Sequence, residues 1–388
     1  MPSFAVVVAV VIAAILACIG ARMLVSGSHR RRETLDDTCG DLRKVHATPT
    51  PRIGGVAVAL GVFGGAAIDW AMNGRLTPWL LLMACVAPAF VWGLIEDLSK
   101  RGAVLPRLVL PAVAGALGFV LLDARITYLN VPGLDNLLAV HAFAFLFTLF
   151  AVTGVTHAIN VIDGLNGLAG MTSLLASIGL AIVAAAVGDD FVFSAACVLA
   201  ASIAGFLLVN YPSGRIFLGD GGAYLVGLLL AELSVLLVHR NSEVSPWFPL
   251  MLLAYPIWET LFSMYRRKTR GHSTAHADAL HLHSLVYRRV VRWRGFSAKP
   301  AERVTRNSLA SLCLWTVPLV CFATALALWN DSIALQVAAV VFVFWYVLGY
   351  RALVRFNVPS WLVVRAGRGD LSLADPDSDD VVSSRTGR

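Results

Sequence analysis

"FAVVVAVVIAAILACIGARMLV", residues 4–25, is an apolar run long enough to cross a bilayer. No basic segment precedes it, and basic residues rather than a small-residue cleavage site follow it. It therefore reads as a transmembrane helix and not as a signal peptide. The same pattern recurs along the chain. Approximate spans fall at 4–25, 53–70, 78–95, 104–122, 137–155, 170–187, 191–209, 221–238, 247–265, 308–329 and 333–350. Only 14% of the 388 residues are charged, against about 25% in soluble domains, and 58% are hydrophobic. The expected fold is all-α: a polytopic membrane bundle of about eleven helices.

Charge sets the expected orientation. If the N-terminus lies outside, the inward segments hold every one of the 31 Lys and Arg except Arg75, Arg125 and Arg240. The positive-inside rule then predicts N-out and C-in. Residues 1–350 form one transmembrane domain whose inward loops are 26–52, 96–107, 156–170, 210–221 and 266–307. Residues 351–388 form an inward tail, rich in Asp, Ser, Arg and Gly and expected to be largely disordered after about 366.

The net charge of +7 does not imply nucleic acid, because the basic residues crowd short loops beside apolar spans, where anionic lipid accounts for them. The six cysteines, at 18, 39, 85, 197, 313 and 321, include no C-x-x-C pair and read as small core residues. No internal repeat of the inverted transporter kind is visible.

Every unusual polar cluster faces inward: "HATPTPRIGG" (46–55), "GLIEDLSKR" (93–101), "NVIDGLNGLAG" (160–170), "FLGDGGAYLVG" (217–227) and "DALHLHSLVYRR" (278–289). Glu96–Asp97 ends a span. As adjacent carboxylates at a bundle rim they suit a divalent cation or a proton, though solvated interfacial acids look the same. Asp220, before Gly221 and Gly222, suits both a helix cap and a bound ion. Asn160, Asp163 and Asn166 recur at three-residue spacing. Carboxamides ligate hard cations through oxygen and also read nucleobase edges. His281 and His283 fit an interfacial amphipathic helix or, among many arginines, a pyrophosphate. Hard-metal ligands, basic groups and a membrane floor together suit phosphoryl transfer from a soluble donor to a lipid acceptor.

On "PTPRIGG", the acidic pair, "NVIDGLNGL", "FLGDGG" and the histidine loop, in this order, the chain resembles the polyprenyl-phosphate N-acetylhexosamine-1-phosphate transferases. This group, glycosyltransferase family 4, includes phospho-MurNAc-pentapeptide translocase and the enzymes that initiate O-antigen synthesis. The resemblance runs from about residue 46 to 290. It implies ten or eleven helices with a cytoplasmic active site in a bacterial inner membrane. The reaction it implies joins a UDP-N-acetylhexosamine to undecaprenyl or another polyprenyl phosphate and releases UMP, directly or through an aspartyl-phosphate.

The resemblance also implies residue roles. Asp220 and Asn160 match metal ligands for Mg²⁺, with Mn²⁺ as the alternative ion. Glu96, Asp97, Asp163, His281 and His283 match catalytic positions. Asn166 matches the uracil contact. Lys100, Arg101, Arg52, Gly164 and Gly221 match substrate-binding positions. A homodimer is compatible with the family. Glu96 departs from the usual Asp-Asp pair, His157 stands where asparagine is common, and Ser284 replaces a further histidine. The histidine loop favours surface-polysaccharide initiation over a muramyl-pentapeptide substrate. The rival reading is a secondary transporter for an anionic solute, which would use intramembrane acids such as Glu232 and Glu259.

Overall fold

A computed structural model describes residues 4–28, 50–100, 103–269, 280–293, 300–355 and 364–366. The first helices are α1 (Phe4–Ser28), α2 (Gly54–Asn73), α3 (Leu76–Ser99), α4 (Val104–Leu121), α5 (Leu134–Leu138) and α6 (His141–Ile162). They are followed by α7 (Leu168–Val187), α8 (Asp190–Asn210), α9 (Gly219–Arg240), α10 (Trp247–Leu252), α11 (Ala254–Thr269) and α12 (Leu282–Arg289). Helices α13 (Pro300–Ala327) and α14 (Ser332–Val354) close the bundle. Among the described residues the departure from an all-α fold is one short parallel pair, β1 (Val291–Trp293) with β2 (Val364–Ala366), in which Val291 stands opposite Val364.

Ten of these helices are long and apolar enough to span a membrane. The expected span at 247–265 is present as two shorter helices, α10 and α11, which meet at Leu253. Pro256 falls in the first turn of α11, where its missing N–H removes no intrahelical bond. The rest of α11 turns polar and ends on Arg266, Arg267 and Lys268. The expected disorder after about 366 concerns residues outside those described.

Apolar surface alone does not bring helices together in lipid, because lipid tails are as apolar as leucine. Small residues that let backbones approach do. Helix α1 shows this with Ala9, Ala13, Ala17 and Ala21, four residues apart on one face and all fully buried. That face lies against α2 and α8. The outward faces carry Leu105, Phe150 and Val340, each about 70% exposed, as a lipid-facing surface requires. Helix α9 lies at the centre. Its apolar stretch is 94% buried, against 11% for α14. The residues that gather at the start of α9 therefore draw on several neighbouring helices.

Candidate active site

The first turn of α9 is the anchor. Leu218 stands at its N-cap and offers no capping side chain. The cap comes instead from α3. The two carboxylate oxygens of Asp97 accept the backbone N–H groups of Asp220 and Gly221, each at 2.9 Å. A carboxylate at a helix N-terminus satisfies orphan donors and meets the positive end of the helix dipole. Close approach makes this reach feasible. A Cβ on Gly93 would lie 2.6 Å from the Cα of Gly221. Gly219, at φ +78°, has the Arg52 carbonyl where a side chain would be. The "PRIGG" segment is zipped to the same loop: Gly54 and Gly55 donate to the Phe217 and Leu218 carbonyls at 2.9 and 2.8 Å.

Asp220 is thereby aimed into a cleft between α3, α4, α6 and α9. Its Oδ1 accepts from Asn160 Nδ2 at 2.8 Å. Arg52 and Arg107 approach its two oxygens only to 3.9 and 3.8 Å. Arg107 donates through Nε to Glu96 Oε1 at 2.7 Å. Asp163 caps the C-terminal end of α6 and accepts from the Gly219 backbone. Burial pushes its carboxyl up to about 7; nearby Arg52 opposes the rise and Asp220 adds to it.

The structure thus brings together Glu96, Asp97, Asn160, Asp163, Asp220, Arg52 and Gly221, from four segments far apart in the chain. Four carboxyl groups face two guanidinium groups here, a balance that leaves room for a divalent cation. The donors are all oxygen, as a hard cation requires. Among the described residues no three of His, Cys, Asp and Glu converge to cage a metal unaided. Mg²⁺ is ordinarily held by one or two carboxylates together with substrate phosphates, so the donor set fits that ion.

The histidines lie beside this cluster. A side chain on Gly164 would collide with the His283 ring, 2.4 Å from Nε2, so the turn after Asp163 packs directly on that ring. His281 stacks on His283 at 5.3 Å between ring centroids, within 6° of parallel. Its Nδ1 is turned away, to Glu259 Oε1 at 2.9 Å.

Other expected site residues take different places. Asn166 is 1% exposed, and its amide donates to the Pro212 carbonyl at 3.1 Å and Ser308 Oγ at 3.3 Å. Its backbone N–H donates to Asn307 Oδ1 at 2.8 Å. In this structure it staples the 163–167 turn to the 211–214 loop and to α13. Lys100 adopts a left-handed conformation, φ 55°, and closes α3 by donating to the Glu96 carbonyl. Arg101, like Asp278 of the histidine motif, lies outside the described residues.

Arg107 and Glu259 are the residues that sequence reading did not assign to the site. Arg107 interrupts the apolar "VLPRLVLP" run, which is a signal, but it was counted with the basic loop before it. Glu259 was grouped with membrane-buried acids, and nothing local in the sequence links it to residue 281.

The fold and this cluster define an integral membrane protein with an acidic, oxygen-rich site at one rim of a helical bundle. Residues 79–238 match the model of glycosyl transferase family 4. It is 29% identical over 245 residues to the probable undecaprenyl-phosphate N-acetylglucosaminyl 1-phosphate transferase of Bacillus subtilis, an alignment covering 62% of this chain and 66% of the relative. It is 28% identical over 274 residues to the decaprenyl-phosphate N-acetylglucosaminephosphotransferase of Mycobacterium tuberculosis, with the same coverage. It is 26% identical over 267 residues to the undecaprenyl-phosphate alpha-N-acetylglucosaminyl 1-phosphate transferase of Salmonella typhi, covering 67% of this chain and 70% of that one. The chain thus spans about two thirds of the length of these curated relatives.

Proposed function

We propose that this protein transfers an N-acetylhexosamine 1-phosphate from a UDP-sugar to a polyprenyl phosphate such as undecaprenyl phosphate, releasing UMP. The observation that carries this reading is the convergence of Asp220, Asp163, Glu96 and Asn160 with Arg52 and Arg107 at the mouth of the bundle, around the first turn of its most buried helix. A soluble sugar nucleotide reaches such a rim from water, and a lipid phosphate reaches it without leaving the bilayer surface. The names of the relatives favour N-acetylglucosamine as the first sugar to test. Initiation of a surface polysaccharide is the pathway class this product suits.

The chain's own groups divide the work. A phosphate oxygen of the lipid attacks the β-phosphorus of the UDP-sugar. A new P–O–P link forms there as the bond to the UMP oxygen breaks. Asp220, with the carboxamide oxygen of Asn160, would hold Mg²⁺, which supplies positive charge to the donor pyrophosphate. Arg52 and Arg107 flank the same acid and pair with phosphate oxygens. Asp163, poised near neutrality, takes the remaining proton of a lipid phosphate monoester, whose second pKa is about 6. Asp97 fixes the α9 turn that presents Asp220. The basic-residue asymmetry supports a cytoplasmic location for this rim.

No observation favours a transporter, whose site would lie near the bilayer midplane between repeats. Purified protein in detergent, given UDP-N-acetylglucosamine, undecaprenyl phosphate and Mg²⁺, should release UMP and form one lipid-diphospho-sugar per UMP. A panel of other UDP-sugars then ranks the donors. Absence of UMP release with every donor, in folded protein, would refute the proposal.

A further inference from the structure

Glu259 lies outside the acidic cluster, and the reaction just described does not use it. Yet it is among the most completely satisfied acids in the molecule. It is fully buried on α11. Its Oε1 accepts from His281 Nδ1 at 2.9 Å, from the Leu282 backbone N–H at 3.1 Å and from Ser263 Oγ at 3.4 Å. Its Oε2 accepts from the Tyr346 hydroxyl. Four donors on one buried carboxylate offset the cost of removing it from water. Three of them come from other elements: two from the start of α12 and one from α14.

The consequence falls on His281. With Nδ1 bound to Glu259, and Ser263 Oγ also within 3.1 Å of it, the ring cannot turn about its plane. Nε2 is therefore the edge presented outward, with Arg267 Nη2 at 3.4 Å. Arg266 braces the same segment, donating to the Leu280 carbonyl at 2.9 Å and to the Tyr350 hydroxyl at 2.6 Å. Tyr350 in turn donates to the Leu280 carbonyl at 3.1 Å. The charged and titratable groups around the ring are thus Glu259, Arg266 and Arg267 on α11, His283 on α12, and Tyr346 and Tyr350 on α14; Tyr255 adjoins Glu259 from the same helix.

Helix α14 gives the arrangement its meaning. It is the least buried of the spanning helices. Its buried residues are Leu335, Tyr346 and Tyr350, and both tyrosines are spent on this histidine segment. The helix lies beyond the residues matched to the family. We propose that Glu259, held by Tyr346, is a positioning residue that fixes the orientation of His281, and that α14 contributes to the site through this tether. The inference rests on the phosphotransferase reading for its effect on rate, but the geometry it claims is testable without turnover.

The test uses the full chain and three variants, Glu259→Leu, Glu259→Gln and Tyr346→Phe. The first readout is carbethoxylation of individual histidines by diethyl pyrocarbonate, followed by mass spectrometry. His239, at the other rim, serves as internal reference. Loss of the tether in Glu259→Leu should speed labelling of His281 several-fold relative to His239. Gln keeps an acceptor for His281 Nδ1 and should leave labelling close to the parent, and Tyr346→Phe should fall between.

The second readout is kinetic. Misplacement by about an ångström costs about a hundred-fold, so kcat should fall by about that factor in Glu259→Leu and far less in Glu259→Gln, with KM for the sugar nucleotide little changed. Parent-like His281 labelling in Glu259→Leu would overturn the proposal. So would equal acceleration at His239, which marks general loosening, or a Gln variant as inactive as Leu with unaltered labelling, which marks a need for charge. A parent protein without transferase activity would refute the proposed function and leave the labelling result to decide this inference.

Discussion

Two acids at opposite ends of the bundle, one buried and one half-buried, show what separates scaffold from site. Asp69, near the end of α2, is completely buried and saturated. It accepts from Ser194 Oγ at 2.7 Å, Trp79 Nε1 at 2.8 Å and Asn73 Nδ2 at 2.8 Å, with Arg75 at 3.5 Å. It ties α2, α3 and α8 together and has no capacity left. Asp220, at the other end, has one close side-chain partner in Asn160 and two arginines held at nearly 4 Å, and 18% of its side chain is exposed. A carboxylate whose needs are fully met by the protein holds structure. One whose partners stand back, in a cleft of mixed charge, is prepared for a ligand.

Exchanging the fates of these two acids is the strongest way to break that contrast. Asp220→Asn should lower UMP release by about a thousand-fold, the scale of losing a principal electrostatic contact, with melting temperature nearly unchanged. Asp69→Ala should do the reverse. It leaves buried donors on Trp79 and Ser194 unpaired, at about 3 kcal/mol in total, while the protein that remains folded turns over normally. Unaltered activity in the first variant, or unaltered stability in the second, would erase the distinction.

Asp97 lies between the extremes, since it belongs to the site yet is spent on capping. Asp97→Asn offers one acceptor oxygen where two N–H groups need it, so stability should fall by about 1 kcal/mol and kcat by about ten-fold. Because the defect is geometric, the loss should be the same at every pH. Recovery as pH rises would instead mark Asp97 as a base.

Asp163 sharpens the comparison through pH. Its folded carboxyl is raised from 3.8 to about 7. The folded state therefore binds a proton that the unfolded chain releases near pH 4. The stability this contributes is fully present below about 4 and lost as pH rises through about 7. In EDTA, melting temperature should decline between pH 5 and 8, and the Asp163→Asn variant should flatten that decline. Activity with Mg²⁺ should rise over the same window as the base form appears. An identical pH–stability curve in the variant would remove Asp163 as its source.

The smallest effect is expected at Asn166. Its staple to Pro212 and Ser308 contributes about 1 kcal/mol, so Asn166→Ala should lower the melting temperature modestly and raise KM for the UDP-sugar about threefold. A large rise in KM with no thermal change would show that the carboxamide meets the nucleotide itself.

The sequence by itself determined the class of fold and pointed to the acids that the fold gathers at one rim. Apolar runs of bilayer length require helices, because lipid offers no partner for an open backbone. Runs such as 4–25, 170–187 and 191–209 were therefore legible directly. Asp220 was legible because an acid between apolar residues and paired glycines is costly without a purpose. The division of labour was not legible, since it depends on which helices meet. Asp97 caps α9 across more than a hundred residues of chain, Arg107 closes on Glu96 from the next helix, and Asn166 turns inward to α13. Glu259 looked like a stray membrane acid until α12 and α14 brought it four donors. Spacing along the chain records local geometry only, and the partners of these polar groups were chosen by packing between helices.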